Sequence, residues 1–178
     1  GFNIEKPHLL NELQEFFRTR ILFVLEEKGI DSDISQAVAG ASININRLLQ
    51  NPNDVFYRAN LLRELRISGK LKVLQLLFSR VANLAEKSLL SKESLGSKGV
   101  IKEKLFEKES EYQLLMLINK LEPICISNIQ KRYINLADEL LSAVEILREF
   151  FDGETSVMVM SEDKEVRNNR LNLLAILR

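Results

Sequence analysis

The sequence predicts an all-α fold, a bundle of about six to eight helices with a short extended segment before the last one. Leucine is abundant, and only 7 glycines, 3 prolines and no tryptophan occur in 178 residues. That composition suits helices better than a β-sandwich. Apolar residues also recur three and four positions apart along most of the chain, the spacing of a buried helical face.

The elements follow in order. Pro7 suits the first turn of a helix that ends before Gly29, with Leu10, Leu13, Phe17, Ile21, Val24 and Leu25 as its buried stripe. Asp31 or Asp33 can cap a shorter helix in which Ala37, Val38 and Ala41 allow close packing. Asn51-Pro52-Asn53-Asp54 is a turn and cap, opening a helix through Val55, Ala59, Leu62 and Leu65 to a stop at Gly69. Lys70 to about Lys87 is amphipathic, with Val73, Leu74, Leu77, Val81 and Leu84 inward. Ser, Lys and Gly between Leu89 and Gly99 predict a surface loop. Helical spacing returns from Leu105 to Leu121, and Pro123 kinks or ends that helix. Another starts at Asn135, with Leu136, Leu140, Leu141, Val144, Leu147 and Phe151 on one side, and breaks at Asp152-Gly153-Glu154. Residues 157–160 are expected to be extended, and the final helix starts near Asp163.

These elements are expected to form one helical domain over 1–178: N-terminal helices to residue 88, a surface loop over about 89–101, and a C-terminal bundle over 102–178. The start at Gly1 and the stop at Arg178 inside an apolar helical pattern suggest a fragment of a longer polypeptide.

Composition narrows the function. The 25 basic residues equal the 25 acidic ones, so a nucleic-acid site must be a local patch. Cys125 and His8, the single residues of their kinds, supply neither a disulfide framework nor a metal site. Cys125, between Ile124 and Ile126, reads as a small buried hydrophobe, and His8 as a surface or capping residue. The longest apolar run, residues 21–25, is too short to cross a bilayer, and no signal peptide is evident. No Gly-rich phosphate loop, Walker pattern or nucleophile elbow occurs, and no catalytic set assembles.

Binding is better supported. Basic residues concentrate at Arg58, Arg63, Arg66, Lys70 and Lys72, at Arg18 and Arg20, at Arg80, and at Lys131-Arg132. Phe16-Phe17-Arg18, Phe56-Tyr57-Arg58 and Phe150-Phe151-Asp152 offer rings beside charge, a pairing that suits unpaired bases as well as a core. In the last helix Arg167 shares a face with Leu171 and Leu174, and Arg170 with Val166, Leu173 and Leu177. Two guanidiniums thus head the apolar stripe, where cations oppose the helix dipole. Either Glu162, Asp163 and Glu165 neutralise them, or an external anion does.

A resemblance bears on that choice. Phe150-Phe151-Asp152, Val157-Met158-Val159-Met160, the acidic step Glu162-Asp163 and Val166-Arg167-Asn168-Asn169-Arg170-Leu171 resemble a signature of one family. It is the DALR-type anticodon-binding domain of the bacterial glycyl-tRNA synthetase β subunit. Phe16-Phe17-Arg18-Thr19-Arg20, with Gly29, Asp33, Ala37 and Val38, is similar to its opening helices. Arg80-Val81-Ala82-Asn83-Leu84 is similar to its central element, and Leu105-Phe106 with Glu109 and Glu111 to the acidic helix that follows. Glu165 and Val166 depart from the usual Ala-Leu, and Gly153-Glu154-Thr155-Ser156 lengthens the preceding link.

The resemblance implies an anticodon-binding domain of glycine–tRNA ligase that holds the anticodon arm of tRNA-Gly. Catalysis would lie outside this fragment, in an α subunit or fused α region, with ATP and Mg²⁺ needed by the parent enzyme and no cofactor by this fragment. It implies no membrane or DNA partner, and a bacterial cytoplasm or an organellar stroma or matrix. A glycine anticodon carries cytosines at its second and third positions, which carboxylate, Asn and Arg groups can read. The RNA-binding residues it suggests are Arg167, Arg170, Asn168, Asn169, Arg80, Asn83 and Arg18. Two other classes remain open: an anticodon-binding module of arginyl or cysteinyl type, and a helical protein-interaction domain whose arginines pair internally.

Overall fold

The computed structural model describes residues 6–90, 96–127 and 129–178. Among the described residues are eight α-helices, one single-turn 3-10 helix and no strand, so the all-α expectation holds. They group into two compact units divided between Ser68 and Gly69. The helix predicted over 70–87 therefore packs within the second unit. Part of the predicted surface loop, residues 91–95, lies outside the described residues.

The first unit comprises α1 (Lys6–Glu27), α2 (Ser32–Ala39), α3 (Ile45–Gln50) and α4 (Pro52–Ile67). Its core gathers Leu25, Ile30, Ile34, Val38, Leu48 and Val55. Gly29, at φ 75°, ends α1. The Gly29 amide donates to the Glu26 carbonyl (2.9 Å) and the Ile30 amide to the Leu25 carbonyl (3.1 Å), a glycine-closed helix terminus that drops Ile30 into the core. At α4, the Asn51 side chain accepts from the Asp54 amide (3.2 Å) and Pro52 takes the first turn. Gly69, at φ 73°, follows its end, as expected.

The predicted stripe of α1 is corrected. Leu10, Leu13 and Phe17 are 56%, 45% and 47% exposed, and Val24 is also exposed. α1 has 22 residues whereas α2 has 8 and α3 has 6, so the short helices cannot cover its full length. The basic concentration in this unit is largely neutralised. Arg66 grips Asp31 (2.8 Å) and Asp33 (2.5 Å), and Arg58 pairs with Asp54 (3.1 Å). The Arg66 guanidinium holds the Asp33 carboxyl below the usual carboxylate range. Asp31 sits at the α2 N-cap without a side-chain capping bond, because its carboxylate serves Arg66.

Arg18 is buried and also departs from expectation. Its Nη1 donates to the carbonyls of Ala39 (2.9 Å) and Gly40, and Nη2 to that of Ile43 (3.0 Å). These are carbonyls at and just beyond the end of α2, which the helix itself leaves without partners. Arg18→Met should destabilise the first unit by about 1.5–3 kcal/mol, measured by urea unfolding. Arg18→Lys should recover only part, since one ammonium lacks the reach of a planar fork. A change below about 0.5 kcal/mol in Arg18→Met, the range of ordinary surface substitutions, would count against this role.

The second unit comprises α5 (Leu71–Ala85), the 3-10 turn Glu103–Leu105, α6 (Glu109–Ile126), α7 (Ile129–Asp152) and α8 (Lys164–Leu177). α6 and α7 pack together, and α8 packs on α5 and α6. α8 buries Val166, Leu171, Leu173, Leu174 and Ile176, making it the central helix. Phe150 and Leu147 from α7 and Leu114 and Leu117 from α6 complete the core. α7 begins at Ile129 rather than Asn135, and α6 continues past Pro123 to Ile126. A proline this near a helix end forfeits one amide hydrogen bond and leaves the preceding turns intact. Cys125 is exposed, correcting the buried reading, because it lies on the solvent side of that last turn.

Among the described residues no helix is long and apolar enough to cross a membrane, and no group of three His, Cys, Asp or Glu could hold a metal. The His8 side chain lies outside the described residues.

Candidate functional site

The second unit carries an open cleft of about 650 Å³ between α5, the end of α7 and the segment before α8. α5 creates one side of it through helical spacing. Leu74, Leu77, Val81 and Ala85 face inward, which turns Leu76, Ser79, Arg80 and Asn83 outward into the cleft. At the end of α7, Phe150 is fully buried and Phe151 nearly so, while Asp152 is exposed.

Arg80 bridges the two helices. Its guanidinium carbon lies 4.2 Å from the centroid of the Phe151 ring. Its Nη1 donates to both carboxylate oxygens of Asp152 at 2.8 Å. The ring fixes one face of the guanidinium and the carboxylate fixes its edge. The side chain is 47% exposed and lines the cleft. An exposed ion pair of this kind contributes little to stability; its consequence is orientation.

The third wall depends on a turn. In Gly153 a Cβ would lie 2.0 Å from a Glu149 carboxylate oxygen, so only glycine lets that carboxylate fold over the helix end. Glu149 there accepts from the Thr155 amide (2.6 Å) and hydroxyl (2.7 Å). The Thr155 hydroxyl, then its amide, hold the Glu149 carboxyl below the usual range. Residues 157–158 lack regular structure and residues 159–160 turn, so the extended run expected over 157–160 is corrected at its second half. Val159 is buried, whereas Met158 is 73% exposed and Met160 is also exposed on the cleft.

α8 then opens at Asp163, whose carboxylate accepts from the amides of Glu165 (2.7 Å) and Val166 (3.1 Å). Capping occupies Asp163, and Glu165 reaches Lys102 at 3.9 Å. Neither neutralises the arginines as the local alternative required. Arg170 is 3% exposed. It donates through Nε to Glu111 Oε1 (2.9 Å) and through Nη2 to Glu107 Oε2 (2.7 Å) and Glu111 Oε2 (3.2 Å). Burial acts to lower the Arg170 pKa, but Glu111 and Glu107 outweigh it and leave the guanidinium firmly charged.

The seven predicted site residues therefore divide. Arg80 and Asn83 stand together on the cleft. Arg167 and Asn168 are partly exposed. Arg167 donates to the Ser161 carbonyl (3.0 Å), next to the Met160 wall, and among the described residues no carboxylate pairs with it. Asn168 lines a separate pocket of about 380 Å³ with Lys102 and Lys164. Arg170, Asn169 and Arg18 are buried, and the expectation that they face a ligand is corrected. Asn169 is spent on one backbone unit, accepting from the Lys102 amide (2.8 Å) and donating to its carbonyl (3.0 Å). Sequence reasoning missed Glu111 as the partner of Arg170 and Leu76 as part of the cleft. Glu111 accepts the Glu107 (2.8 Å) and Lys108 (3.0 Å) amides at the start of α6. An acidic residue in the first helical turn was legible as a helix-start signal, but its pairing 59 residues away was not.

A flat cation stacked on a ring, an adjacent amide and exposed methionines around an open cleft match the needs of an unpaired base. Comparison with known proteins gives that class a family. The model of the DALR anticodon binding domain matches residues 74–178, more than half of the chain and nearly all of the second unit. The chain belongs to the DALR anticodon binding domain family. Along its whole length it is similar to proteins named glycine–tRNA ligase beta subunit. It is 40% identical to that of a Picosynechococcus species, over 98% of this chain and 25% of the relative. It is 36% identical to that of Gloeothece citriformis, again over 98% and 25%. That of Natranaerobius thermophilus is 28% identical over 94% of this chain and 22% of the relative. The chain thus spans about a quarter of the length of these curated relatives. No solved structure matches it significantly.

Proposed function

We propose that this chain is the anticodon-binding part of a glycine–tRNA ligase β subunit and holds the anticodon arm of tRNA-Gly. The observation that carries it is 40% identity over 98% of the chain to a glycine–tRNA ligase beta subunit. Aminoacylation, with its ATP and Mg²⁺, takes place outside this chain, on an α subunit or a fused α region. In the second unit an unstacked base lies on the open face of Arg80, with Met158 and Met160 flanking it and the Asn83 amide offering a donor and an acceptor to its edge. Arg167 and Lys164, both solvent-accessible, hold phosphates. Such a module works in soluble surroundings, consistent with a bacterial cytoplasm.

A second reading, a helical protein-interaction domain without RNA contact, draws support from the internal pairing of Arg170. Titrating a tRNA-Gly transcript against the 178-residue chain at several salt concentrations separates the two. With about two phosphates engaged, a fourfold rise in salt should weaken binding roughly 7- to 12-fold. Replacing either anticodon cytosine should weaken it further. Absent or salt-insensitive binding would put the protein-interaction domain ahead.

A further inference from the structure

We infer that Arg170 is a positioning residue for the cleft, setting the wall formed by residues 157–160 from within and touching no RNA itself. The inference rests on the RNA-binding role proposed for the Arg80 cleft.

Its basis is the direction of the fork. Nε and Nη2 of Arg170 are held by Glu111, and Nη2 also by Glu107, while Nη1 donates to the Met158 carbonyl at 3.2 Å. Glu111 is fully buried and tied to the start of α6 by two backbone amides. Arg170 is thus a strut between the first turn of α6 and the backbone of Met158. One residue earlier on α6, the buried Ser110 hydroxyl donates to the Thr155 carbonyl (2.5 Å), a second tie from the same turn to the same segment. The tied stretch contains no helix or strand, so it has no regular backbone ladder to hold its shape. The Met158 backbone is fastened inside and its side chain is left 73% exposed on the cleft. Lysine could answer the carboxylates but could not reach the Met158 carbonyl at the same time, because it lacks a rigid planar fork.

A positioning residue and a phosphate ligand respond differently to salt. In Arg170→Lys, with the helical content checked by circular dichroism, tRNA-Gly affinity should fall roughly three- to tenfold at fixed salt. In Arg170→Met combined with Glu111→Leu, which removes the cation, the slope of log affinity against log salt should match the unchanged protein, because no phosphate contact is lost. Hydrogen exchange over residues 155–161 should quicken while the amides of α8 stay protected. Ser110→Ala, which cuts the other tie without removing a charge, should show the same pattern and serves if Arg170→Lys does not fold. Unchanged affinity in a folded Arg170→Lys, or in Ser110→Ala, overturns the inference. So does a slope shallower by about one in Arg170→Met combined with Glu111→Leu, since that marks a direct phosphate contact. If the unchanged protein shows no salt-sensitive binding, the proposed function fails and the inference falls with it. Wild-type binding that is merely indifferent to these substitutions overturns the inference alone.

Discussion

Arg170→Ala is expected to lower the unfolding free energy of the second unit by about 3–5 kcal/mol, the range for removing one partner of a buried ion pair. Glu111 is fully buried and Arg170 is 3% exposed. The alanine leaves a carboxylate without its cation in a site that water cannot readily reach. The cost arises from that orphaned charge more than from lost attraction, which a second substitution can expose. Arg170→Met combined with Glu111→Leu removes both charges, so most of the loss should return. A residue of about 1–2 kcal/mol should persist, because leucine cannot accept the Glu107 and Lys108 amides that Glu111 now caps. Urea unfolding followed by circular dichroism gives the magnitudes, with hydrogen exchange assigning the transition to residues 69–178. A loss below about 1 kcal/mol for Arg170→Ala would mean that the pair behaves as an exposed surface bridge, and the buried strut would be wrong.

Arg80→Ala should do the reverse: change stability little and binding much. Its pair with Asp152 is exposed on both sides, so its loss should cost at most about 1 kcal/mol, with a similar ceiling for the cation–π contact. For RNA, removing a stacking platform should cost about 1–3 kcal/mol, roughly 5- to 150-fold in affinity. Arg80→Lys preserves the charge but not the flat face over Phe151, so it should bind with intermediate affinity and an unchanged salt slope. If Arg80→Ala binds tRNA-Gly as the unchanged protein does, while Arg167→Ala does not, the base site lies on α8 and the cleft is not the place of recognition.

The contrast between these arginines shows how far the sequence reaches. Arg80 and Arg170 both stand in helices beside apolar stripes, and Phe151 and Asp152 follow each other in a block whose resemblance is legible. Nothing local distinguishes the guanidinium that stacks on Phe151 from the one that vanishes beneath Met158. Asn83 and Asn169 pose the same problem: one opens to the cleft, the other closes on the Lys102 backbone. In α1 even the apolar spacing misled, since a stripe reports only that one side is greasy, and α2 and α3 are too short to cover all of it.

The sequence by itself determined the helical class, the glycine ends at residues 29 and 69, the Asn51-Pro52 start of α4 and the burial of the α8 stripe. These depend on backbone chemistry and on periodicity within one element. It also determined the family, through ordered blocks of residues. Which polar residues face outward was decided only by the tertiary structure. Glu111 lies 59 residues from Arg170, and Asp152 lies 72 from Arg80. Packing of α8 on α6 brings the first pair together inside, and packing of α5 beside α7 brings the second together at the surface. A guanidinium takes whichever carboxylate the packing delivers, and that delivery is a property of the folded unit and not of any segment in it.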